Sequence, residues 1–233
     1  MLELGYLLLT AIVLIIIVSV YRYGLNKTGV EKSIINKRAT YLTIGLLLWL
    51  AYVFAIAKSG FLANFTLPPR FPIFIIFPLF IFTGIVLYRN RKSKVFSVIP
   101  ASWAVYFQSF RILVESLFVA TVAKGFLHPE VTIEGYNYDM IFAITAPIIG
   151  YLVFNAKKLP IKVAIYWNYL GLAVLVSVIF VFTTTIFFPS VWESETSLAP
   201  PEIVAFPYIL VAGFLMPIAV FVHIFSIIQL RKS

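Results

Sequence analysis

The sequence predicts an all-α integral membrane protein: a seven-transmembrane helix bundle with its N-terminus outside and its C-terminus in the cytoplasm. Three observations predict it. The 233-residue chain is 62% hydrophobic and 12% charged, with a mean hydropathy of +1.02. A soluble domain is nearer half apolar and a quarter charged, so this much apolar surface calls for lipid. Apolar runs near the ~20 residues needed to cross a bilayer recur seven times. The basic residues between those runs alternate sides, as cytoplasmic loops require.

The first span is read at residues 4–20, within LGYLLLTAIVLIIIVSV. It follows a lone Glu3 and precedes Arg22, the reverse of a secretory leader's charge order, so it is expected to be retained. It carries almost no polar group and is expected to face lipid. The second span, 41–57, follows Lys27, Lys32, Lys37 and Arg38. The third, 71–88, is interrupted by Pro78 and closes on Arg89, Arg91, Lys92 and Lys94.

The fourth, 100–123, is the polar exception. The fifth, 139–155, contains Pro147 and precedes Lys157, Lys158 and Lys162. The sixth, 161–188, leads to the seventh, 203–230, which Pro207 and Pro217 kink and Arg231 and Lys232 end.

By this count fourteen basic residues lie on the cytoplasmic side and three (Lys58, Arg70, Lys124) on the other, with Arg111 inside the membrane. The acids run the opposite way and predict an acidic outer face. Loops of about 7–17 residues leave no room for a soluble domain. Tyr21, Tyr23, Tyr88, Tyr166, Trp167, Trp192 and Tyr208 fit interfacial aromatic belts. No internal repeat is visible. The expected setting is a plasma or inner membrane, with the bilayer as partner, no nucleic acid, and room for a small-molecule ligand, an oligomer or a partner subunit.

Three polar groupings are candidate sites. In span four, Gln108, Arg111 and Glu115 fall at i, i+3 and i+7, on one helical face. An arginine at that depth costs about 2.5–3.5 kcal/mol on insertion scales, so it calls for a partner. Arg111 and Glu115, four apart, can pair within the helix. They can also bind: the guanidinium an anionic group, the carboxyl a proton or a cation.

The second grouping is the loop Lys124–Met140, with His128, Glu130, Glu134, Asn137 and Asp139. It is expected at the mouth of a cavity whose floor is Arg111 and Glu115. His128, Glu130, Glu134 and Asp139 are the only candidate metal ligands, and their spacing matches no strong motif. The third is inner: Asn168 and His223 are expected at similar depth, as a polar clamp or gate between spans six and seven.

Absences exclude several classes. The chain has no cysteine, which removes disulfides, thiolate metal sites and iron–sulfur clusters. Span seven has no lysine for a retinal Schiff base, and two histidines near opposite faces disfavour bis-histidine haem; no cofactor is predicted. Ser109, Ser116, Thr121, Thr145 and Ser177 lack a neighbouring base and read as packing residues.

The reading favoured by the sequence is binding or transport of a small polar, anionic or zwitterionic solute, with proton coupling through Glu115 an option. A lipid- or isoprenoid-processing enzyme with a metal at the acidic loop is one alternative. A noncatalytic sensory or assembly subunit is the other.

Overall fold

A computed structural model describes residues 1–125, 127–195 and 197–232, with only the backbone of Glu130. Its described residues are all-helical, without a strand. Six helices are long and apolar enough to cross a membrane. They are α1 (Leu2–Lys27), α2 (Lys32–Lys58), α3 (Pro72–Asn90), the broken pair α5 (Ala101–Phe107) and α6 (Phe110–Val122), α8 (Ile161–Phe187) and α9 (Val211–Leu230). The short α4 (Lys94–Val98) precedes α5, and the 17-residue α7 (Asp139–Asn155) is apolar but shorter than the rest.

Burial ranks the helices. In its most apolar window α9 is 56% buried and α2 only 11%. The outward faces carry Leu4, Leu8, Ile12 and Ile15 on α1, Ile81, Phe82 and Ile85 on α3, and Ile141, Ile144 and Ile148 on α7, all exposed. Such continuous apolar stripes are stable against lipid and not against water. These features suit an α-helical, multi-pass membrane protein.

Three helices differ from the sequence reading in ways that matter for the site. The segment 100–123 is not one straight helix. At Gln108 and Ser109 the hydrogen bonds tighten to three-residue spacing, with the Arg111 amide donating to Gln108 O (3.2 Å) and the Ile112 amide to Ser109 O (3.1 Å). The helix α9 begins at Val211, not at 203. Pro207 has no amide hydrogen to continue a ladder, and the residue before a proline disfavours helical backbone. Residues 206–209 therefore form turns. The helix α1 is lipid-facing on one side only, because Tyr6, Leu9, Thr10 and Val13 are buried against the bundle.

The prolines explain α2. Pro78 and Pro217 cannot donate to the carbonyls four residues earlier, Phe74 O and Gly213 O. Aromatic residues of α2 do so instead: Tyr52 Oη donates to Phe74 O (3.1 Å) and Trp49 Nε1 to Gly213 O (2.7 Å). Their rings lie 5.2 Å apart, so one patch of α2 fastens the kinks of both α3 and α9. Each kink also carries a wider π-helical turn, at Pro72–Ile76 and Val211–Leu215.

Candidate functional site

The middle of the bundle buries Gln108, Arg111, Glu115, Asn137, Asp139, Asn168 and His223, none more than 4% exposed. The break between α5 and α6 sets Gln108 against α9, where its Nε2 donates to Ala219 O (3.0 Å). One turn on, Arg111 reaches away from its own helix. Its Nε donates to Asp139 Oδ2 (2.9 Å), its Nη2 pairs with Asp139 Oδ1, and its Nη1 meets His223 Nε2 (2.9 Å). The Phe142 ring lies 5.2 Å from the guanidinium, adding a cation–π contact.

These contacts fix the histidine's protonation. A guanidinium only donates, so His223 Nε2 must accept. The ring proton is then on Nδ1, which lies 2.8 Å from Asn168 Oδ1 and donates to it. Asn168 Nδ2 in turn donates to Ala164 O (2.7 Å) and Ser226 Oγ (3.1 Å). The chain of contacts thus runs Asp139–Arg111–His223–Asn168–Ser226 and joins α6, α7, α8 and α9. Trp167 stacks on Phe142 (centroids 4.7 Å apart) and donates to Thr145 Oγ1 (2.8 Å). It is buried at 7% and not an interfacial anchor, because its indole N–H finds its acceptor inside the bundle.

Glu115 does not close an ion pair with Arg111, despite their spacing; a bidentate carboxylate on another helix satisfies the guanidinium's planar fork better. Both Glu115 oxygens accept from the same atom, Asn137 Nδ2, at 3.0 Å. That nitrogen also donates to Val131 O (3.1 Å), so two hydrogens serve three acceptors. Asn137 Oδ1 accepts from the Asp139 amide (2.9 Å), which orients the first turn of α7. Nearby, Tyr6 Oη and Thr121 Oγ1 are 2.7 Å apart and tie α1 to α6.

The described residues of the loop 124–138 therefore do not rim the cavity expected above Arg111 and Glu115. The loop's end folds inward, because Arg111 and Glu115 need partners, and Asn137 and Asp139 lie at the buried end and not at a mouth. Glu134 stays exposed and His128 half-buried. The Glu130 side chain lies outside the described residues. Among the described residues no three of His, Asp and Glu come together as metal ligands.

A cavity of about 80 Å³ lies beside the cluster. Arg111, Glu115 and Asp139 border it. Its walls are apolar, from Val114 and Phe118 of α6, Leu175 and Val178 of α8, and Ala212 and Leu215 of α9, among others. Ile203, Val204 and Tyr208 also line it. Nothing in the residue pattern marks this cavity's position: its walls are ordinary leucine, valine and phenylalanine, and only a proline-kinked α9 offers a hint.

No protein-family model, no curated protein and no solved structure matches this chain.

Proposed function

We propose that the chain is a membrane protein of seven crossings, with its N-terminus outside, that binds and carries a small amphiphilic molecule in the cavity beside Glu115. The seventh crossing is α7 with its 17 residues, about 25 Å of helix against a hydrocarbon core of about 30 Å. The fourteen-to-three division of basic residues supports this count and orientation. The cavity then opens toward the outer face.

One observation carries the ligand reading: an apolar cavity ends on a buried carboxyl group. Ligand sites are typically apolar pockets with a few convergent polar groups. The walls favour an apolar body over the freely polar solute expected from the sequence. At about 80 Å³ the space takes about six water-sized groups, the scale of a short alkyl chain.

Calorimetric titration of 1-hexanol into nanodiscs holding the protein, with empty nanodiscs as blank, tests it. Saturable binding that disappears in Val178→Trp or Ala212→Phe is expected. Equal signals with and without the protein would end the reading.

A second reading, a noncatalytic assembly subunit, draws on a specific observation: all three Arg111 nitrogens already have partners within the chain. A null hexanol titration together with a stoichiometric co-purifying protein would favour it.

A further inference from the structure

We infer that the ligand taken by this cavity carries a single positive charge at its polar end, as a protonated amine on an apolar body does, and that Glu115 is its counter-ion. The inference rests on the cavity reading above and adds the sign of the head group.

Charge counting around the cavity comes first. Arg111 and Asp139 cancel, and His223 is neutral because its Nε2 accepts from Arg111. Glu115 is left over. Among the described residues lining the cavity, Arg111 is the one cation, and no lysine reaches in. The cluster therefore holds one more carboxyl than it has positive charge to match.

Hydrogen bonding points the same way. A carboxylate can accept at about four lone-pair sites. Among the described residues Glu115 receives only Asn137 Nδ2, a nitrogen already shared with Val131 O. A buried, under-bonded carboxyl group in apolar surroundings must take up either a proton or a cation. The cavity is the side from which one can arrive, since Glu115 lines it and Asn137 Nδ2 is the amide already set against both carboxyl oxygens. An anionic head group would meet the surplus negative charge instead, with a guanidinium already committed to Asp139 and His223.

The test uses three six-carbon probes of one shape on the nanodisc-embedded protein at pH 7: hexylammonium, 1-hexanol and hexanoate. Hexylammonium is expected to bind about tenfold or more tighter than hexanol, as a charge-assisted hydrogen bond allows, with hexanoate weakest. In Glu115→Gln the three should converge near the hexanol value. Hexanol binding retained in that variant shows an intact cavity. If Glu115→Gln does not fold, displacement of hexanol by hexylammonium in the wild type, and its loss in Val178→Trp, decides.

Hexanol binding as tightly as hexylammonium would overturn the inference, because Glu115 would then carry a proton and not await a cation. Hexanoate binding best would overturn it, as would a preference for the amine that survives Glu115→Gln. Failure of all three probes would instead remove the cavity reading itself.

Discussion

Asp139 and Glu115 are two buried carboxyl groups that share a guanidinium neighbour, and they are served very differently. Asp139 meets two nitrogens of Arg111 in a fork and is held at the start of α7 by Asn137. Glu115 has one shared amide nitrogen and a cavity at its side. The Asp139 half of the cluster is closed, with a chain of contacts through His223 and Asn168 that ties four helices together. The Glu115 half is open. Buried ion pairs are weak evidence for net stability, yet breaking one is costly. The difference gives one acid a structural partner and leaves the other without an ionic one among the described residues.

The most severe way to break this comparison is to remove the charge from the closed side. Asp139→Asn takes from Arg111 the only carboxylate it hydrogen-bonds among the described residues, and a loss of about 3–5 kcal/mol is expected. It should appear as a collapse in folded yield or in the unfolding midpoint of detergent-solubilised protein. Replacing both partners, Arg111→Met with Asp139→Leu, should recover most of that loss. A double variant no better than Asp139→Asn would show that the pair does more than fasten helices.

Packing around the same half gives the next effect. Gly171 of α8 faces the His223 imidazole so closely that an added Cβ would collide with it. Gly171→Ala should cost about 1–3 kcal/mol by overpacking. Pairing it with His223→Ala should return part of that, a coupling that a double-mutant cycle measures. Independent, additive effects would mean that α8 shifts freely and that the clamp is not rigid.

The α2 latch tests the cavity side. Trp49→Phe removes the donor to Gly213 O and leaves that carbonyl unpaired beside Pro217. A loss of about 1–3 kcal/mol is expected. Because Val211, Ala212 and Leu215 wall the cavity from the kinked turn, hexanol binding should weaken as well. Lost stability with unchanged binding would separate the kink from the cavity.

Much of the helical architecture could be read from the sequence, because a bilayer imposes length and apolarity on each segment directly. Local physics also marked Arg111 and Glu115, since charges in apolar runs need a reason. Their partners were not legible. Spacing offered Glu115 to Arg111 four residues away, whereas Asp139 is 28 residues off and became available only once a loop folded inward. Pro78 and Pro217 announce two unpaired carbonyls, but nothing local says that Trp49 and Tyr52 will find them. The break at Gln108 and Ser109 is equally silent, since neither residue is a helix breaker. Trp167 shows the opposite failure: a tryptophan near a span end reads as an interfacial anchor until the Thr145 hydroxyl beside it is known.

The smallest expected effect is the sharpest contrast. Glu115→Gln is the same chemical change as Asp139→Asn, a buried acid replaced by its amide. It removes a carboxyl that no guanidinium pairs and that one amide nitrogen serves. The glutamine Oε1 can keep the contact to Asn137 Nδ2, so the change in stability should lie within about 1 kcal/mol. Relieving an under-bonded buried carboxyl group offsets the weaker hydrogen bond. The two amide variants, measured side by side by the same unfolding assay, should therefore differ by several-fold in cost. Equal losses would mean that Glu115 is as much a fastening as Asp139, and would return the whole cluster to a structural role. A wide gap would leave Glu115 as a carboxyl that the fold tolerates without needing, which is the property expected of a group kept for a ligand.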